Sequence, residues 1–252
     1  MALAVLLMLF LILAMSSADL LQNPDFESPP TNMTANTTAP FLLQNKYNSI
    51  PGWSFNGTVW YVTSGPNTSL PGNGHAVQLG QDGKINRTFK SDSNYMNVLT
   101  FTLAPESKNC SNNFTAVNVS SSEGYKVFHF QGRYGKEMWE SHAYSLTSWD
   151  EGGLNHLVFQ NTSSYTNSTQ MCAPVVDTFL IRKLGAPIGY AENMLVNGGS
   201  EVGPAFLKNS SEILLNDELQ SPLKQWSVIG TVKYIDSRHY LVPEGRAAIE
   251  IL

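Results

Sequence analysis

The sequence predicts an all-β protein: an antiparallel jelly-roll β-sandwich followed by an incomplete second copy of the same module. Three observations carry that reading. Between Trp53 and Lys183 apolar residues recur with a two-residue period in short runs, the spacing that sends alternate side chains to opposite faces of a strand. Clusters of Gly, Pro, Asn and Ser punctuate those runs as turns do. The opening pattern then returns about 170 residues later, which marks a duplicated unit.

The candidate strands, in order, are residues 60–63, 75–79, 85–89, 97–103, 114–119, 125–130, 142–148, 155–160 and 176–181. In the fourth, Asn97, Leu99, Phe101 and Leu103 share one face while Val98, Thr100 and Thr102 share the other. In the last, Asp177, Phe179 and Ile181 alternate with Val176, Thr178 and Leu180. About nine short strands in about 160 residues suit two packed antiparallel sheets. Only residues 212–219 hint at a helical turn.

The repeat sets the boundaries. Leu21-Gln22-Asn23, Glu27 and Pro30 return as Leu195-Val196-Asn197, Glu201 and Pro204. Trp53, Gly57, Val59 and Tyr61 return as Trp226, Gly230, Val232 and Tyr234, and Ala76-Val77-Gln78-Leu79 returns as Ala248-Ile249-Glu250-Ile251. The expected organisation is a leader over 1–18, a first sandwich over 19–184, a linker over 185–191 and a truncated copy over 192–252. About 60 residues supply only part of each sheet, so the second copy is not expected to close a core alone.

The leader reads as secretory: an apolar run from Ala2 to Met15, then the small residues Ser16-Ser17-Ala18. The run is shorter than the about 20 residues that span a bilayer, so no membrane anchor is expected. Eleven Asn-X-Ser/Thr sequons agree with that route, at Asn32, Asn36, Asn56, Asn67, Asn86, Asn109, Asn113, Asn118, Asn161, Asn167 and Asn209. Asn86 and Asn118 fall on strand positions that face solvent. Charged residues are 14% of the chain, below the usual share of about 25%, so glycans are expected to supply solubility. A net charge of −5 argues against a nucleic-acid partner. Cys110 and Cys172 are the only cysteines, and an oxidising compartment most simply joins them in one bridge.

No catalytic sequence is specific. The Gly-X-Ser-X-Gly elbow, the His-Glu-X-X-His helix, the phosphate-binding loop and the Cys-X-X-Cys pair are all missing. His75, His129, His142, His156 and His239 lack metal-ligand spacing. Glu137, Glu140, Asp150 and Glu151 lie near Trp139 and Trp149 and are read as a solvated loop rather than a glycosidase pair. Trp139, Tyr144 and Trp149 are the candidate sugar-stacking residues, carried on end loops. Glu27 and Asp177 stand on the first and last strands of one sandwich, where their carboxylates could share a structural calcium; no other cofactor is required.

Several segments, in order, are similar to a plant cell-wall family, "domain of unknown function 642". They are Leu21-Gln-Asn-Pro-Asp-Phe-Glu27, Ile50-Pro-Gly-Trp53, Val59-Trp-Tyr61, His75-Ala-Val-Gln-Leu79, Trp139-Glu-Ser-His-Ala-Tyr144, Leu157-Val-Phe-Gln-Asn161 and Cys172-Ala-Pro-Val-Val-Asp177. Leu195-Val-Asn-Gly-Gly199 and Tyr240-Leu-Val-Pro-Glu-Gly245 extend the resemblance into the second copy. The resemblance implies galactose-binding-domain-like sandwiches in tandem, secretion to the wall, association with wall polysaccharide and interaction with pectin methylesterase. It implies no established catalytic mechanism. The chain departs from the family where Leu70-Pro-Gly-Asn-Gly74 replaces a Val-Pro-Glu-Gly signature. The expected function is therefore that of a secreted wall glycoprotein that binds a glycan or a wall-modifying enzyme without turning over substrate; a cryptic glycosidase or esterase and a ligand-free structural product are the rivals.

Overall fold

The structure, a computed structural model, describes residues 21–33, 40–44, 49–66, 68–90, 96–110, 115–122, 124–132, 138–146, 154–163, 172–184, 197–218, 221–243 and 245–252. The leader and the linker expected at 185–191 lie outside these residues. In chain order the strands are β1 (Phe41–Leu42), β2 (Ser54–Asn56), β3 (Val59–Thr63), β4 (His75–Leu79), β5 (Lys84–Lys90), β6 (Met96–Pro105) and β7 (Ala116–Ser120). They continue as β8 (Tyr125–His129), β9 (Glu140–Leu146), β10 (Leu154–Asn161), β11 (Pro174–Leu184), β12 (Glu212–Glu218), β13 (Val228–Asp236) and β14 (Ala247–Ile251). One sheet is ordered β1-β3-β4-β11-β6-β9-β12-β13-β14 and the other β2-β5-β10-β7-β8.

The alternation in β6 builds the main core. Leu99, Phe101 and Leu103 face the five-stranded sheet and are buried against Val117, Val119, Phe128 and Phe159. Phe101 sits edge-on to Phe128 at 5.1 Å and to Phe159 at 5.3 Å. Burial of each such side chain stabilises the fold by about 1.5–3 kcal/mol. Cys110, at the end of a short turn after β6, is bonded to Cys172 just before β11, with Cα atoms 5.4 Å apart. The bridge therefore fastens the core's central strand pair at one end, next to where Pro105 lies opposite Pro174.

The same sheet buries its other face farther along. Val98 of β6 and Ala143 of β9 pack with Leu184, Ile213, Leu215, Val228 and Tyr234 in a second apolar cluster. β12 joins β9 in parallel, Leu214 opposite His142, so the C-terminal strands continue the first module's sheet instead of forming a sheet of their own. Ser141 Oγ donates to Ser210 Oγ at 2.7 Å, and Ser210 Oγ donates to the Glu212 carbonyl at 2.7 Å. The second copy thus gains a core by borrowing the outer face of the first.

That docking explains one difference from the sequence reading. Residues 212–219 hinted at a helical turn, yet 212–218 form β12. Ile213, Leu214 and Leu215 are all buried because both faces of this strand are covered, which erases the alternation that marks a half-exposed strand.

The duplication holds at the level of single hydrogen bonds. Asn23 Nδ2 and Oδ1 bond the Ser28 carbonyl and N–H, and Asn197 does the same with Val202. Trp53 Nε1 donates to the Asn23 carbonyl at 3.1 Å, and Trp226 Nε1 donates to the Asn197 carbonyl at 3.0 Å. Registers agree too: Tyr61 lies opposite Val77, and Tyr234 opposite Ile249.

Candidate functional site

Glu27 accepts the His75 N–H on Oε1 at 2.7 Å and pairs Oε2 with His75 Nδ1 at 2.8 Å. In the second copy Glu201 accepts the Arg246 N–H at 2.9 and 3.1 Å. A Cβ at Gly74 or Gly245 would collide with the glutamate carboxylate, so glycine precedes the clamped residue in both copies. Glu27 is therefore a clamp between the first turn and β4.

Asp177 lies deeper. It is 2% exposed, and its Oδ1 accepts the Thr178 N–H at 2.6 Å. Thr178 has φ of 47°, unusual for a β-branched residue, at an irregularity in the β11–β6 register between Asp177 and Leu180. Burial pushes the Asp177 carboxyl up to about 8; the Thr178 hydrogen bond opposes the shift, and the charges of Glu27 and Asp25 add to it. Among the described residues no three His, Cys, Asp or Glu side chains are placed to hold a metal ion. Calcium needs six to eight oxygens; of the pair read from the sequence, Glu27 has both oxygens on His75 and Asp177 has Oδ1 on the Thr178 N–H.

The three candidate aromatics do not converge. Tyr144 belongs to the main core, 9% exposed and edge-on to Phe128 at 6.0 Å. Trp139 is half-buried with Trp60 over Val62, Leu70, Ala76, Ala104 and Val175 on the sheet's outer face. Trp149 lies outside the described residues. An end-loop groove built on Trp139 and Tyr144 is thereby excluded: they project to opposite faces of the sheet, one into the core. Glu140 is corrected as well, being buried rather than on a solvated loop, with Oε2 and Oε1 accepting the Gln131 and Gly132 N–H groups at 2.9 and 2.7 Å.

Of the sequons, Asn32, Asn56, Asn109 and Asn209 are exposed, and Asn86 and Asn118 are half-buried. Asn161 is buried, and its Nδ2 donates to the Leu79 and Gly80 carbonyls, both at 2.9 Å. Asn36, Asn67, Asn113 and Asn167 lie outside the described residues.

The sequence reading missed a cleft at the junction of the two copies, a cavity of about 210 Å³. Arg182 reaches it from β11, and Pro204, Phe206, Tyr234, Arg238 and Arg246 line the rest. Phe206 stacks on Tyr234, centroids 5.0 Å apart and planes 2° apart. Burial pushes the Tyr234 hydroxyl up to about 12, and that hydroxyl donates to the Ser200 carbonyl at 2.9 Å.

Two carboxylates also line the cleft. Asp236 is 2% exposed and accepts Arg238 Nε at 2.6 Å, with Arg238 Nη2 also on Oδ2. Burial raises the Asp236 pKa, but the Arg238 hydrogen bonds and charge, with His239, outweigh it and hold the carboxyl below the usual range. Glu201 spends its oxygens on backbone N–H groups. Asp236, its carboxyl held low, is not set up as the raised-pKa proton donor of a glycosidase. The signal that could have found this cleft is arginine usage, since three of the five arginines in the chain line it.

Residues 19–182 match the family described as "Protein of unknown function (DUF642)". The chain belongs to the DUF642 family. Among its DUF642 relatives, the Arabidopsis thaliana protein named "DUF642 L-galactono-1,4-lactone-responsive gene 2" is 30% identical over 244 residues, 92% of this chain and 63% of that protein. The Arabidopsis thaliana "Protein TEEBE" is 30% identical over 217 residues, 81% of this chain and 56% of that protein. The chain thus spans about three-fifths of the length of these curated relatives, whose names carry no enzyme activity. Two solved structures are similar at low identity. A carbohydrate-binding module of family 61, in complex with β-1,4-galactotriose, is 14% identical with a TM-score of 0.40, covering 66% of this chain and 99% of that one. A family 35 carbohydrate-binding module from Clostridium thermocellum is 13% identical with a TM-score of 0.35, covering 57% and 98%. Residues 197–252 lie beyond the DUF642 match, yet Asn197 and Trp226 repeat the hydrogen bonds that Asn23 and Trp53 make in the matched module.

Proposed function

We propose that this DUF642 protein is a non-catalytic carbohydrate-binding protein of the plant cell wall, acting through the cleft where its two copies meet. The observation that carries this reading is the cleft's composition: Phe206 backed by Tyr234 gives an apolar wall, and three arginines bring donors to it. Sugars are held in this way, with C–H faces on aromatic rings and hydroxyls on polar groups. Family membership supports the wall as the setting. The carboxylates argue for binding over turnover, because Asp236 and Glu201 are already engaged in the fold.

The apolar leader and the exposed sequons support secretion into the wall. A pectin-modifying enzyme such as pectin methylesterase is the protein partner that the family resemblance suggests. A glycan array probed with the full chain and with Phe206→Ala tests the binding reading. Wall glycans should be retained by the full chain, and the variant should bind them more weakly by about 1 kcal/mol, the scale of an aromatic contact. A chain that retains none of them would end this reading.

A further inference from the structure

We infer that the junction cleft selects a sugar that carries a carboxylate, a hexuronate residue, over its neutral counterpart. The inference rests on the carbohydrate-binding reading and names the ligand class for the same cleft. A chain with net charge −5 has placed three of its five arginines around one small cavity, against the background elsewhere.

The two acids in the cleft do not cancel that charge. Asp236 is matched to Arg238 by two contacts, which leaves Arg238 fixed and the pair neutral. Glu201 turns its oxygens to the Arg246 and Ala247 N–H groups, and the Arg246 side chain stands off at 3.8 Å with 88% exposure. Arg182 gives a long hydrogen bond, 3.4 Å, to the Gly203 carbonyl. Three arginines against two acids leave a formal charge of +1, and the guanidinium groups of Arg182 and Arg246 have donors to spare. A planar guanidinium pairs with a carboxylate through two parallel hydrogen bonds, which a hydroxymethyl group cannot accept as an anion does.

Size narrows the ligand further. At about 210 Å³ the cavity is smaller than the roughly 300–1,000 Å³ of drug-sized sites, so it suits one sugar ring or a chain end. Phe206 offers the apolar wall for the ring, and the arginines take its acid group.

The test is a ligand-observed NMR titration of the full chain at low salt with D-galacturonate and D-galactose, and with D-glucuronate and D-glucose. Each pair differs only at the carboxylate. The uronates should bind about tenfold more tightly, the scale of a hydrogen bond to a charged group. Arg182→Gln and Arg246→Gln should each weaken uronate binding about fivefold or more, weaken binding of the neutral sugars less, so that the uronate preference narrows, and leave Tm unchanged. Equal binding of the acidic and neutral sugars would overturn the inference. So would uronate binding untouched by both substitutions, or equal displacement by inorganic phosphate, which would mark a general anion site. Neutral-glycan binding without uronate preference removes this inference alone, whereas no binding to any sugar removes the carbohydrate reading with it.

Discussion

Tyr61 and Tyr234 hold the same place in the two copies: each donates its hydroxyl to the carbonyl of a turn residue at positive φ. The acceptors are Phe26 at 2.6 Å and Ser200 at 2.9 Å, with φ of 53° and 57°. Tyr61→Phe and Tyr234→Phe each leave that carbonyl without its donor, at a cost of about 1–3 kcal/mol in urea unfolding. No loss in either variant would mean that the shared bond is incidental.

The paired tryptophans should not respond alike. Trp53 is 5% exposed and packs on Phe179 at 4.8 Å, whereas Trp226 is 40% exposed. Trp53→Ala should cost about 3–5 kcal/mol, and Trp226→Ala less than half as much. Equal costs in the same unfolding assay would contradict the view that the second copy borrows its core from the first.

The borrowed core has its own signature. Ala143 is 1% exposed and touches the C-terminal cluster, so Ala143→Asp would bury an unpaired charge at the seam. Limited proteolysis should then remove residues beyond about 190 while the first module survives. In the unsubstituted chain the segment should resist as long as the first module does, and early loss there would mean that the seam does not hold.

Asp177 makes stability depend on pH in a stated direction. Its folded pKa is raised to about 8 from 3.8, so the buried carboxyl is at no disadvantage below about pH 4 and loses stability as pH rises toward 8. Asp177→Asn keeps an acceptor for the Thr178 N–H and should flatten that slope, with the larger gain at pH 8. An unchanged profile from pH 4 to 8 in chemical denaturation would remove this role.

The disulfide closes a sequence separation of 62. Replacing both Cys110 and Cys172 with Ser should cost about 2–4 kcal/mol. For a chain of this size that corresponds to a Tm lower by roughly 4–16 °C. A smaller shift in calorimetry would show that the core holds the two strands without the bridge.

Much of the fold could be read from the sequence wherever one strand face is wet or the two faces differ in chemistry. The alternation of Leu99, Phe101 and Leu103 with Val98, Thr100 and Thr102 in β6 locates both faces correctly. β9 could not be read that way, because Glu140, Ser141, His142, Ala143, Tyr144, Ser145 and Leu146 are all buried. That is why Tyr144 and Glu140 looked like surface chemistry. Arginine usage hinted at the cleft but could not place it: Arg182, Phe206 and Arg246 come from separate parts of the chain and meet through the β9–β12 pairing, for which the chain has no local signal.

The most direct test of the account is a co-sedimentation isotherm of the full chain on plant cell-wall polysaccharide fractions, with the supernatant analysed for released sugars. Saturable retention that Phe206→Ala weakens, with no new reducing ends, is the predicted result. Release of sugars by the purified chain, or failure to be retained by any fraction, would contradict a non-catalytic carbohydrate-binding role.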